Sequence, residues 1–255
     1  MMRALYTAAS GMMAQQLNID NISNNLANVQ STAFKKGRVD FQDLLYSHMS
    51  DPGTEATAGT QIGMGVRSAS TQKMFSMGSL QKTDNNFDVA IQGDGFYQVT
   101  LPDGTAAYTR DGAFKLDGHG NLATSSGYSL GLRIPKDITD IQIKQDGKVF
   151  GTPINSTKPV QIGEIKLTRF LNPAGLKSLG GNLYGWTPVC GEKTTDLPGN
   201  NGLGNLAQGF LEKSNVNVVE EMINIIQAQR AYEINSKGVQ AADEMMRQAN
   251  QLQKG

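Results

Sequence analysis

The side chains able to do chemistry are few and scattered in this sequence. Only two histidines occur, His48 and His119, and no cysteine cluster accompanies either, so the usual zinc and iron ligand sets are missing. Asp117-Gly-His-Gly-Asn121 resembles the opening of a calcium loop, but an EF-hand alternates acidic ligands and closes on a glutamate, which is absent here. Gly63-Met-Gly65 is followed by Ser68 where a dinucleotide-binding turn requires glycine. Two neighbouring carboxylates are the minimum for glycoside cleavage, and Asp40 with Asp43 or Glu220 with Glu221 would supply them. Both pairs read more simply as solvated faces, with Glu220 also serving a helix cap. No catalytic, cofactor-binding or metal-binding residue is assigned, and no cofactor is expected.

Composition narrows the classes further. The 255 residues suffice for one large domain or two smaller ones. Hydrophobic residues reach only 38 % and glycines number 29, which predicts a loop-rich, elongated chain. Basic and acidic residues balance at 23 each with no long run of either sign, which argues against nucleic acid as a partner. Cys190 stands alone, so no intramolecular disulfide can form. Polar residues interrupt the first stretch at Thr7, Ser10, Gln15 and Gln16, unlike a cleaved secretory signal. No segment approaches the ~20 apolar residues of a membrane span. The expectation is a soluble chain with no membrane insertion and, if exported, no cleaved signal peptide.

Helical spacing marks both ends. Leu5, Ala8, Met12, Gln15, Ile19, Ile22, Leu26 and Val29 recur at alternating three- and four-residue intervals, a narrow stripe of the coiled-coil kind flanked by amides such as Asn24, Asn25 and Asn28. Near the other end, Asn217 followed by Glu220 fits a cap. Val219, Met222, Ile223 and Ile226, then Ala242, Met245, Ala249 and Leu252, predict a helix over 218–252, with Gly238 a weak point. Between them, five Asp-Gly pairs from Asp94-Gly95 to Asp146-Gly147 separate short β-forming runs, a hairpin signal. Further strands are expected at Ile141–Ile143, 160–170 and 183–186, and loops or extended connectors at 47–65 and 185–209. The predicted fold is α+β: long N- and C-terminal helices packed as a coiled-coil-like stem, with a mainly antiparallel β middle domain. The expected division is 1–30 with 216–255 as a terminal helical assembly domain, 31–84 as an extended bridging connector, and 85–215 as a β-rich outer domain.

Two long motifs carry a family resemblance. Ala8-Ala-Ser-Gly-Met12, Ile22-Ser-Asn-Asn-Leu-Ala-Asn28, Thr32-Ala-Phe-Lys-Lys36 and Phe41-Gln-Asp-Leu-Leu-Tyr46 are similar to the N-terminal signature of the flagellar rod and hook axial proteins. Ser214-Asn-Val-Asn217, Glu220-Glu-Met-Ile223 and Gln229-Arg-Ala-Tyr-Glu-Ile-Asn-Ser-Lys237 resemble that family's C-terminal signature. The modest length, Ile62-Gly-Met-Gly-Val66, Asp88-Val-Ala-Ile-Gln-Gly-Asp-Gly-Phe96 and Tyr108-Thr-Arg-Asp-Gly112 favour a rod subunit over a hook subunit.

The resemblance implies a structural, non-enzymatic subunit of a helical homopolymer, exported by the flagellar type III apparatus into the periplasmic rod. Its implied neighbours are proximal rod proteins, the hook protein or hook cap, and the basal-body rings. Subunit interaction is then expected at Leu5, Met12, Ile19, Ile22, Asn24, Asn25, Leu26, Asn28 and Val29 at one end. At the other it is expected at Val219, Met222, Ile226, Arg230, Tyr232, Met245 and Leu252. An inter-subunit bridge is expected at Asp51, Pro52, Gly53, Ile62, Gly63 and Gly65. The runner-up within the family is a hook or proximal rod subunit; from a different class, the competing reading is a periplasmic β-rich binding protein or wall-acting enzyme with helical ends.

Overall fold

The computed structural model describes residues 2–48, 61–135, 137–154 and 158–252. The chain divides into two units. The first takes Met1–Ala27, Gly37–Lys73 and Asn217–Gly255, and the second takes Asn28–Lys36 and Met74–Val216.

The first unit holds helix α1 (Met2–Ala27), strands β1 (Gly37–Asp43), β2 (Tyr46–His48), β3 (Gln61–Gly63) and β4 (Val66–Lys73), and helix α2 (Val218–Leu252). The helix read from spacing over 218–252 coincides with α2. Its N-terminus is set by Asn217, whose Oδ1 accepts the Val219 N–H at 3.1 Å and whose carbonyl accepts the Glu221 N–H at 3.0 Å. Glu220 and Glu221 in the first turn complement the helix dipole. The helix continues through Gly238. The strands form an antiparallel ribbon: β1 pairs with β4 from Gly37 opposite Lys73 to Asp43 opposite Val66. Beyond that, β2 pairs with β3 from Tyr46 opposite Gly63 to His48 opposite Gln61. The stretch 47–65, expected as loop or extended connector, is therefore strand at both flanks.

The coiled-coil-like stem is overturned. α1 and α2 run antiparallel, with Gly11 across from Asn235 and Asn25 across from Glu221. The residues of α2 on that inner face are Glu221, Ala228 and Ala242, all buried, with half-buried Asn224, Ala231, Asn235 and Val239 between them. A coiled-coil seam needs large apolar knobs at its core positions. Here the seam is small and polar, and the apolar stripe expected to fill it points away: Val219, Met222, Ile223, Ile226, Met245 and Leu252 are all exposed. The fold is one helix at each end of a mostly antiparallel β middle.

That middle is the second unit. Its strands are β5 (Leu80–Lys82), β6 (Val89–Gln92), β7 (Phe96–Thr100), β8 (Ala106–Thr109), β9 (Phe114–Leu116), β10 (Asn121–Thr124), β11 (Ser129–Arg133), β12 (Ile138–Ile143), β13 (Lys148–Pro153) and β14 (Val160–Glu164). Then follow β15 (Leu167–Phe170), β16 (Lys177–Gly180), β17 (Leu183–Gly185), β18 (Lys193–Asp196), β19 (Asn205–Gln208) and β20 (Phe210–Glu212). The main sheet runs β16-β17-β8-β7-β11-β10-β9, with β15 joining β7 to β18. A three-stranded sheet β12-β13-β14 and the pairs β19-β6 and β20-β5 complete the unit.

Side chains alternate across the sheet, as a two-residue period requires. Tyr97 enters a large core with Phe114, Leu122, Val149 and Leu167. Its neighbour Phe96 enters a second, aromatic core with Tyr108, Phe170 and Tyr184. Three of the five Asp-Gly pairs close hairpins, joining β7 to β8, β9 to β10 and β12 to β13. The other two do not: Gly112 is needed because a Cβ there would collide with the Val89 carbonyl, and Gly95 sits at φ +140° between unpaired strands. The expected loop or connector over 185–209 contains β18 and β19, because β15 and β6 offer them edges.

Candidate subunit-interaction surface

The inner side of the first unit is held by amides. Asn25, buried, donates from Nδ2 to the Gly37 carbonyl at 2.9 Å and to Glu221 Oε2 at 3.3 Å, and its Oδ1 accepts the Gly37 N–H at 2.8 Å. Asn21 Nδ2 donates to the same carbonyl at 2.9 Å. A carboxamide suits this task because it offers two donors and an acceptor in one plane. One helix side chain thereby fixes the start of β1 and the start of α2. Gly11 fits because an added Cβ would come within 2.9 Å of Asn235 Nδ2.

The outer side is different. Around α2, Val219, Met222, Ile223 and Ile226 lie on the face opposite the buried seam, and Val219 is 66 % and Ile226 50 % exposed. Arg230, Glu233 and Lys237 continue that face in the following turns. Around α1, the exposed face carries Arg3, Tyr6, Met13, Leu17 and Asp20, with Met13 75 % exposed. Apolar side chains clustered on one face of a surface helix mark a contact to another protein, since each loses stabilisation while in water.

The expected interaction residues fall into three groups. Leu5, Met12, Ile19 and Leu26 are half-buried and Ile22 and Asn25 buried within the chain's own fold, whereas Asn24 is exposed. Asn28 and Val29 lie beyond α1, half-buried in the second unit. Val219, Met222, Ile226, Arg230, Tyr232, Met245 and Leu252 are exposed on α2. Of the bridge residues, Asp51, Pro52 and Gly53 lie outside the described residues. Ile62 and Gly63 belong to β3, and Gly65, at φ +109°, crosses α1 so closely that a Cβ would strike Ser10 Oγ. Spacing alone missed the row Tyr6, Met13 and Leu17, although intervals of seven and four are themselves a helical stripe.

A second cluster escaped the sequence altogether. Glu212, buried, accepts from Lys35 Nζ at 2.5 Å, from Arg110 Nε at 3.0 Å and from the Gly78 N–H at 2.8 Å. Lys35 Nζ also donates to the Ser76 carbonyl at 2.8 Å, and Arg110 Nη2 to the Gly93 carbonyl at 2.8 Å. Burial, reinforced by the Arg110 charge, lowers the Lys35 pKa to about 8 against the opposing pull of Glu212. Burial likewise raises that of Tyr184 to about 12. The remaining hydrogen bonds of the cluster go to the Ser76 and Gly93 carbonyls and come from the Gly78 N–H, so it clasps 28–36 to β20. Lys35 and Arg110 both sit in motifs visible in the sequence, but only the fold brings them to one carboxylate.

Three family models match. They are flagella basal body rod protein over residues 5–35, flagellar hook protein FlgE/F/G D1 domain over 90–151, and flagellar basal body rod FlgEFG protein C-terminal over 207–252. Among curated relatives, the flagellar basal-body rod protein FlgG of Borreliella burgdorferi is 48 % identical with both chains fully covered. That of Buchnera aphidicola from Schizaphis graminum is 48 % identical over 99 % of this chain and all of the relative. That of Caulobacter vibrioides is 42 % identical over 98 % of this chain and 99 % of the relative.

Proposed function

Because the chain belongs to the flagellar basal-body rod protein family, we propose that it is a structural subunit of the distal rod. It polymerises into a rigid helical tube that surrounds the export channel and carries torque to the hook. The observation that supports this most directly is the outward apolar face of α2. That helix has already satisfied its inner side with small and amide residues, so Val219, Met222, Ile223 and Ile226 remain for another chain. A contact that uses different faces on its two partners repeats from copy to copy, and builds an open helical filament where its rotation does not close into a ring. Its role is mechanical rather than catalytic. The partners of this reading are further copies, proximal rod proteins, the hook protein or hook cap, the basal-body rings and the type III export apparatus. The site of action in this reading is the periplasmic rod.

Distal placement rests on the ribbon that follows α1. We assign the stretch 47–65 to a bridge onto a neighbouring subunit that stiffens the tube. Electron microscopy of polymers from a chain lacking 47–65 should show shorter persistence length; unchanged stiffness removes the bridge. For assembly itself, purified full chain should scatter light and form filaments, while a chain carrying Met222→Asp and Ile226→Asp should remain monomeric. Equal assembly by both chains would overturn the role of this face.

A further inference from the structure

We infer that the exposed row of α1 in one copy docks on the exposed row of α2 in the next, antiparallel and in one register. This rests on the assembly reading above and specifies its contact. Arg3, Tyr6, Ser10, Met13 and Leu17 recur at intervals of three and four along α1, and Glu233, Arg230, Ile226, Ile223 and Val219 recur at the same intervals in reverse along α2. Both rows span about 21 Å at 1.5 Å per residue. Laid antiparallel, Arg3 meets Glu233, Tyr6 meets Arg230, Met13 meets Ile223 and Leu17 meets Val219. Every one of those eight side chains is exposed in the single chain.

The pairing is chemically complementary from end to end. An ion pair closes one end, a guanidinium over an aromatic ring follows it, and two apolar contacts fill the other end. In the middle stands Ser10, half-covered where Gly65 and Val66 cross α1, its Oγ accepting the Val66 N–H at 3.4 Å. Gly65 already lies against Ser10 Oγ, so Ile226 packs beside that crossing rather than on Ser10 itself. The antiparallel sense is demanded by polarity: α1 and α2 already oppose each other within one chain, so they also oppose each other between copies that all point one way. The register differs from the internal one, in which Gly11 faces Asn235, so one helix pair serves two unlike neighbours.

Two experiments on the full chain test this. Arg3→Glu and Glu233→Arg should each abolish sedimentable polymer, and the double variant should restore it, a rescue that a folding defect does not produce. Next, copies carrying Met13→Cys are mixed with copies carrying Ile223→Cys, assembled and oxidised. A disulfide requires Cα atoms closer than about 7 Å, and native Cys190 is fully buried, so a cross-link between unlike copies is expected. Ile234→Cys in place of Ile223→Cys should give none. Polymers that form normally but cross-link only through Ile234→Cys, or resist both exchanges of charge, overturn the register and leave the rod reading intact. Failure of the unaltered chain to polymerise under any seeding condition overturns both.

Discussion

The two units of the chain are built on opposite economies of side chains. In the second, large residues point inward: Tyr97, Phe114, Leu167 and Ile165 are all but inaccessible, and even its buried charges find partners at Glu212. In the first, most buried positions go to small or polar residues, among them Ala14, Asn25, Gly37, Glu221, Ala228 and Ala242 beside Ile22 and Val39, while Met13, Ile226 and Leu252 face water. Burial of one such large apolar side chain contributes roughly 1.5–3 kcal/mol. The second unit has collected that stabilisation within one chain, and the first leaves much of it unmade in the single chain. Function can therefore be located by asking where a fold declines to bury what it could.

The contrast can be attacked from its strongest point downward. Glu212→Ala removes the carboxylate that sits between the buried Lys35 and Arg110 charges and should destabilise the second unit by about 3–5 kcal/mol in denaturant unfolding. A loss below ~1 kcal/mol would mean water reaches the clasp. Asn25→Ala removes the link between Gly37 and Glu221, and a loss of about 1–3 kcal/mol is expected. Hydrogen exchange should show it at β1 and the first turn of α2, with the amides of β7 and β8 unchanged. Ile226→Asp should alter the unfolding free energy of the monomer by no more than ~0.5 kcal/mol, yet prevent assembly; a large stability loss would mean the outward face is already packed.

The smallest effect concerns pH. Lys35 binds its proton less tightly in the folded chain, with a pKa of about 8 against an ordinary 10.5. Its contribution makes stability rise as pH climbs through that window, and it is constant below it. Lys35→Met should flatten that part of the curve, and an unchanged slope would assign the effect to other groups.

Periodicity was a sound guide where one element decides its own structure. The spacing of Val219, Met222 and Ile226 located α2, and Asp103-Gly104 and Asp146-Gly147 located hairpins, because turn chemistry and helical period are local. Which way a stripe faces is not local. The apolar spacing that announces the helix does not say whether it faces the other helix or another copy; the inward face belongs to Ala228 and Ala242, which allow close approach, and Asn25 supplies the hydrogen bonds. Likewise β18 and β19 exist because distant strands present edges, and the Lys35–Glu212 pair joins residues 177 positions apart. The candidate surface was half legible: its α2 residues were named, and its α1 residues were hidden beside a better-populated stripe.

The first unit is assembled from three separate stretches of chain, with α1 early and α2 last among its elements. A chain threaded out in sequence order would complete the second unit while the first still awaited its closing helix. Adhesive α1 would then lack the surface that orients it, and a chain cut short anywhere before residue 218 would never acquire one. The interleaved topology thus makes the first unit depend on the part of the chain that arrives last: without residues 218–252 its early elements have no second helix to pack on.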